Sequence, residues 1–559
     1  MTVTNGLSKC VSGFALTAFQ VWFPAWSQNI PFNRDHLAKY ESYFLDCHSE
    51  LPSAFKPWIF TSDLANSIHQ ENFEKILANK RDTIRTNIFH RKLHKEHFLV
   101  VKSGKHFNLS MDVLFDLETG RAKDKWHNKF PDFNDGSSQK KIFCNSRGYL
   151  LTGKIRENVS FETSFLESQA VFPTYQDTFI RTYGVVPGSG RTKVFKSGAF
   201  DYSMSSGNFS WNVNSHFNLQ AGHCKHFIGE GYRSLLLSDN AFNYPFLRIT
   251  SAFGAFQYTN LYASFMNLTT FPAHVPKGTE ALFQKKAASI QFLSWQPCRY
   301  FQISLFQALI NQASDSTNKQ TIRWNFANPV ILTNLPFYGL NDRNNILLGA
   351  NAKATVCRKT VLYGQFILDD FSFKYVSPNH LKTWGYQAGV KAIDLFGLKS
   401  SRVQIEYNQV QPYTFGKMEQ PSQSYTHYNQ ALAHPLGANF KEICLLAEYT
   451  PRTFFFLAQA TLVHLGEDWE NLNFGANPFK GDLYQFNTSR QNIYINGQGI
   501  RSTLYFSHVE VGYTINPLTN FQLFAAYSSR FHKNFKGKDE STFFQIGLRT
   551  RLLNYYTDY

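Results

Sequence analysis

Two stretches of this chain concentrate the residue types that recognise sugars. The first, residues 222–240, reads Gly222-His223-Cys224-Lys225-His226-Phe227-Ile228-Gly229-Glu230-Gly231-Tyr232-Arg233 and continues to Asn240. The second, residues 424–440, carries Ser424-Tyr425-Thr426-His427-Tyr428-Asn429-Gln430-Ala431-Leu432-Ala433-His434 and ends at Phe440. Sugars are held by aromatic faces and by planar amide or guanidinium donors, and acidic sugars also need cations. Lys225 and Arg233 are therefore the candidate contacts to anionic groups. Tyr425, His427, Tyr428, Asn429, Gln430 and His434 are the candidates for sugar rings and hydroxyls. The plainer alternative is that both loops fold inward and brace a lumen through mutual hydrogen bonds.

Spacings that would signal an enzyme are missing. There is no Gly-x-Ser-x-Gly elbow, no phosphate loop and no His-Glu-x-x-His, and His94-Lys95-Glu96-His97 has the wrong interval for a zinc helix. Asp369 and Asp370 are adjacent near the end of a strand pattern, so they face opposite sides and cannot pair as acid and base without a bulge. No cofactor or metal is expected, and the reading is non-enzymatic.

The elements that must position the two loops are strands. In the last stretch Tyr505, Val509, Val511, Tyr513 and Ile515 alternate with His508, Glu510, Gly512 and Thr514. A turn containing Pro517 follows, then Phe521, Leu523, Ala525 and Tyr527, a charged loop, and Phe544, Ile546 and Leu548. Alternation of period two, short turns, long polar loops and many aromatics are the pattern of a transmembrane antiparallel β-barrel. Aromatics make up 16% of the chain, and no apolar run approaches the ~18 residues of a membrane helix. Strand starts fall near 107, 148, 158, 199, 208, 245, 256, 286, 300, 346, 360, 384, 401, 439, 454, 501, 520 and 543, an even eighteen. Residues 208–222 read as the longest strand, with uncharged polar groups on its lumen side. Short turns then alternate with long loops at 118–147, 169–198, 223–244, 267–285, 311–345, 372–383, 412–438, 466–500 and 532–542, which are placed outside the cell.

Residues 1–27 resemble a signal peptide, with Lys9 before an apolar core from Cys10 to Trp26 and Ala25-Trp26-Ser27 as cleavage site. Residues 28–105 form a partly helical N-terminal periplasmic segment with a basic run from Lys80 to Lys95, and residues 106–559 the outer-membrane barrel. Loss of the leader takes the formal net charge from +16 to +15, which favours anionic partners such as lipid headgroups, lipopolysaccharide or acidic polysaccharide. Six cysteines then remain, Cys47, Cys144, Cys224, Cys298, Cys357 and Cys444, too scattered for a metal site or a disulfide framework.

The two loops, together with Tyr244-Pro245-Phe246-Leu247-Arg248-Ile249 and residues Val361 to Phe371, resemble the Wzi-like capsule assembly family of outer-membrane β-barrels, in the branch that includes the gliding-motility protein RemB. The likeness spans roughly residues 100–556, and Ala431 stands where proline is expected. It implies an eighteen-stranded barrel in the cell outer membrane with helices at the periplasmic end. It also implies a lectin-like role, holding capsular polysaccharide at the surface without cleaving it. The alternatives are a gliding-motility or adhesion component with protein partners, including motility or export proteins, and a diffusion porin; nucleic acid is not an expected partner.

Overall fold

The computed structural model describes residues 53–59, 87–103, 106–128, 135–196, 198–270, 283–312, 324–333, 344–357, 359–369, 383–417, 421–469, 472–480, 495–550 and 553–559, with residues 33, 34, 37, 38, 41 and 45. The leader and Cys47 lie outside them.

Period-two alternation closes into one antiparallel barrel. Its wall begins with β1 (Phe107–Asn128), β2 (Gly136–Ile155), β3 (Val159–Val171), β4 (Ala199–Asn212), β5 (Phe217–Cys224) and β6 (Tyr244–Phe253). It continues with β7 (Phe256–Thr270), β8 (Phe283–Cys298), β9 (Phe301–Gln312), β10 (Asn345–Val356), β11 (Thr360–Asp369) and β12 (Trp384–Ile393). It is completed by β13 (Ser401–Val410), β14 (Phe440–Tyr449), β15 (Phe454–Glu467), β16 (Ile500–Asn516), β17 (Phe521–Lys533) and β18 (Gly537–Thr550). Each strand pairs with its sequence neighbours, and β18 closes on β1 from Gly537↔Asn128 to Arg549↔Asp116. No edge is left unpaired, as a membrane requires.

The alternation also sorts the side chains. Leu117, Phe209, Trp211, Leu305, Phe366 and Val511 point outward and are exposed, forming an apolar belt. Ser210, Asn212, Asn218 and Gln220 point inward and are buried. A closed barrel with that belt is an integral outer-membrane protein.

Three features depart from the sequence reading. Residues 208–222 are not one strand: β4 and β5 meet in a hairpin, with Asn214 Oδ1 accepting the His216 and Phe217 amides at 2.8 and 2.9 Å. The arms keep the same outward parity, Val213 and Phe217 both being exposed, so the turn leaves no break in the alternation. Residues 118–147 and 532–542 are mostly strand, not loop, because β1 and β2 run for 22 and 20 residues and β17 turns into β18 within three. A tilted crossing needs only ~9–11 residues, so this side of the wall projects beyond the belt. The projection is charged on its outward face, and its inward face mixes Ala122 and Ile142 with Glu118 and Asp124, which blurs the apolar signal a strand would give.

The lumen is filled. Phe55–Lys56 pairs with Phe227–Ile228 inside the barrel, and Tyr425, Leu432 and the tail residues Tyr556 and Asp558 are buried. Leu235, Leu236 and Leu237 are fully buried in a cluster with the inward-facing Phe265, Ile290, Phe292, Phe306, Leu347 and Ile367. Removing each leucine from water contributes about 2 kcal/mol. From β7 to β11 these residues form an apolar band on the inner wall, flanked along the strands by inward polar groups such as Lys286, Ser294, Gln302, Asn351 and Gln365. Helix α1 (Ile88–His94) lies at the short-turn end, where Asn516 Nδ2 donates to the Lys92 and Glu96 carbonyls at 3.3 and 3.0 Å.

Candidate functional site

The two sugar-type loops meet inside the barrel and not at its outer surface. Arg233, expected to reach outward, is fully buried; its Nη2 lies 2.9 Å from both Glu442 of β14 and Asp558 of the tail. Glu406 of β13 accepts the Tyr232 and Arg233 amides at 2.8 and 3.1 Å and the Tyr363 hydroxyl at 2.9 Å. Glu442 also accepts from Asn408 Nδ2 at 2.9 Å and from His434 Nε2 at 2.7 Å. Asp558 accepts from Gln459 and Thr461 at 2.6 and 3.0 Å. Above this network the Arg34 guanidinium sits 4.2 Å from the Tyr232 ring and 4.6 Å from Tyr556, whose hydroxyl donates to Asp239 at 2.6 Å. Buried charges persist only when paired and hydrogen-bonded, and here each has several partners.

The other expected contacts are bound into the same plug. Lys225 donates to the Gly188 and Asp239 carbonyls at 2.5 and 3.1 Å. Burial pushes it down to about 8, against the pull of Asp239. The Tyr425 hydroxyl donates to the Leu236 carbonyl at 2.7 Å. Gln430 accepts the Gly188 amide at 2.7 Å and donates to the Ser189 carbonyl at 2.9 Å. Asn429 donates to the Tyr183 carbonyl at 3.0 Å. Of the eight, Tyr428 and Asn429 are the ones not buried outright. They are the central residues of a two-residue hairpin between Thr426–His427 and Gln430–Ala431, both at positive φ of 50° and 51°. Asparagine tolerates that conformation; a tyrosine there is strained by about 1 kcal/mol. The Tyr428 ring is half-buried, 4.7 Å from Phe242.

His427 fixes its own tautomer. Nδ1 accepts the Met266 amide at 2.9 Å, so the proton sits on Nε2, which donates to the Asn243 carbonyl at 3.1 Å. Burial, with the field of Lys286, His223 and Lys225, pushes this imidazole down to about 3. Its folded value lies below the ordinary ~6.5, so the released loop binds more protons at intermediate pH. The stabilisation is complete above about 6.5 and is lost as pH falls. At pH 4.5 the docked loop should be weakened by about 3 kcal/mol. Protease cleavage between residues 411 and 439 should therefore rise from pH 7 to 4.5 in the wild type and rise clearly less in His427→Gln, where the buried His434 of the same loop, also pushed down by burial, still responds; equal acid sensitivity in both would contradict the assignment.

A second aromatic group, which the sequence reading missed, stands at the outer mouth. Trp469 stacks on Phe535 at 5.0 Å, with Lys536 Nζ 4.9 Å from the indole. The Asn534 side chain accepts the Lys536 and Gly537 amides at 2.9 and 3.2 Å, which sets this tight turn. Trp469 and Phe535 are each 38% exposed. Helix α2 (Thr174–Tyr183) carries further aromatic pairs: Tyr183 lies 6.1 Å from Phe479, and Phe179 and Tyr175 pack on Tyr559 at 5.2 and 6.1 Å. No local spacing announced it, because Trp469 and Phe535 come from two separate connections.

Among the described residues, Glu442, Cys444 and Asp558 place ligand atoms within 4.8 Å of one another. The Arg233 guanidinium already satisfies both carboxylates, so this group serves as its counter-charge. The five described cysteines are free thiols.

No family model matches the chain, and no curated protein does. Among solved structures it is similar to Wzi of Escherichia coli, described as an outer membrane protein involved in group 1 capsule assembly and a carbohydrate-binding β-barrel. That match has 13% identity, covers 93% of this chain and 99% of that one, and gives a TM-score of 0.49. It is also similar to OccAB2 of Acinetobacter baumannii, with 9% identity, 78% and 98% coverage and a TM-score of 0.37. OpdO of Pseudomonas aeruginosa gives 11% identity, 78% and 96% coverage and a TM-score of 0.39. At these identities the likeness concerns barrel shape alone.

Proposed function

We propose that this barrel is a non-enzymatic anchor that holds surface polysaccharide, of the capsular kind, at its outer mouth. The observation that carries the reading is the filled lumen beneath an open aromatic surface. A transport channel needs a wet path, whereas a bracket needs a rigid floor, and the bonded plug supplies the floor. Trp469, Phe535 and Tyr428 offer ring faces to sugars, and Lys536 offers a charge to acidic ones. Lys225, Arg233, Tyr425, His427, Asn429, Gln430 and His434 then serve recognition at one remove, by holding the floor on which Tyr428 stands. The same role is what the resemblance of the two loops to the Wzi-like family implies.

The test is binding of detergent-purified barrel to soluble acidic capsular polysaccharide across a salt series. Two aromatic faces are worth together about 1–3 kcal/mol, so Trp469→Ala with Phe535→Ala should weaken binding about tenfold while the barrel stays folded. Unchanged binding in the folded double variant would remove the mouth from the site. No polysaccharide binding by the wild type, with capture of a cell-surface protein instead, would favour the adhesion or gliding-motility role. Steady single-channel conductance of the wild type would favour the porin.

A further inference from the structure

The projecting part of the wall separates its charges by parity. On β1 the even positions Asp112, Asp116, Glu118 and Asp124 turn into the barrel, where Asp124 accepts from Thr174 and Ser541 and Glu118 from Gln545. The odd positions Arg121, Lys123 and Lys125 turn outward and are exposed. On β2, Lys141 also faces outward, in direct register with Arg121. Like charges facing each other across a strand pair are destabilising, and the acids of β1 are on the wrong face to relieve them. None of these four cations has an ion-pair partner among the described residues; Glu540, in register with Lys125, is held by Lys538 at 3.5 Å.

The height of the patch is set by its neighbours. Phe544, exposed and outward, is in register with Arg121, and Tyr527 with Phe544, so the first cation stands at the upper edge of the apolar belt. Lys125 is four residues further out, about 13 Å along the strand. The face looks away from the mouth, toward the plane of the membrane. The geometry points to a lateral binding site for the phosphates of lipopolysaccharide in the outer leaflet, with Arg121, Lys123, Lys125 and Lys141 as its cations. This site is independent of polysaccharide held at the mouth.

The test compares the wild type with the combined variant Arg121→Ser, Lys123→Ser, Lys125→Ser and Lys141→Ser in detergent, titrated with bisphosphorylated lipid A or its dephosphorylated form. Folding is checked by heat-modifiable gel migration. With four cations removed from a face that meets an anionic surface, the wild type should bind the bisphosphorylated lipid at least about tenfold more tightly than the variant does. It should gain thermal stability from that lipid and little from the dephosphorylated one. Without lipid the order should reverse, the variant melting at or above the wild type because the Arg121–Lys141 repulsion is gone. Equal affinity of the two proteins for bisphosphorylated lipid A would overturn the site, as would equal response of the wild type to both lipids.

Discussion

Replacing Arg233 by methionine should release the plug while leaving the barrel wall intact. The substitution removes the shared cation of Glu442 and Asp558, both fully buried. Breaking a buried ion pair from one side costs about 3–5 kcal/mol, because the remaining charge stays desolvated. The cost falls on the docked loop and tail and not on the wall, whose strands are joined by continuous backbone ladders. The expected result is rapid proteolysis between residues 225 and 243 with normal heat-modifiable migration. Adding Glu442→Gln and Asp558→Asn should restore much of the protection, since no charge is then left unpaired. A single variant as protected as the wild type would show that the network contributes little to holding the plug.

The second large effect comes from the apolar side of the plug. Leu236 packs over Gly349 of β10, where an added Cβ would lie 2.6 Å from the leucine Cδ2, 2.8 Å from the Phe366 carbonyl oxygen of β11 and 3.3 Å from Phe306. Leu236→Asp places a carboxylate in that cluster without a partner, at a cost of roughly 4 kcal/mol. Gly349→Val should press on the same side chain from the opposite direction, at some cost to the β10–β11 pairing through the Phe366 carbonyl. Both variants should turn a closed barrel into a steadily conducting one, because eighteen strands enclose an aqueous channel once their contents leave. Leu236→Met, which keeps volume and polarity, should remain closed. Absence of conductance in both disruptive variants would mean that another segment seals the lumen.

The fold was legible because its signal is local. A strand with one face toward lipid must alternate with period two, and residues such as Val509, Val511 and Tyr527 declare this within a few positions of themselves. The even count, most strand starts and most of the alternation of short and long connections followed from that pattern, the last connection being a three-residue turn where a long loop was expected. The failures occurred where the alternation stops carrying information. Asn214 turns β4 into β5 without changing outward parity, and the upper parts of β1 and β2 are charged outward with only Ala122 and Ile142 as apolar inward residues.

The candidate loops were legible in position and composition but not in direction. An arginine in a polar loop reads the same whether it meets a sugar acid or a buried glutamate. Here its partners Glu442 and Asp558 are 209 and 325 residues away, and Tyr556 reaches Asp239 across 317. The sequence by itself determined a membrane barrel, which residues face lipid, and which loops are rich in hydrogen-bonding groups. Only the tertiary structure decided that these loops and the tail fold into the lumen, that the rings of Trp469 and Phe535 stack at the outer end, and that four cations share one outward face. The physical reason is that side-chain alternation is a property of each strand alone, whereas burial of a loop depends on partners brought together only when the barrel closes.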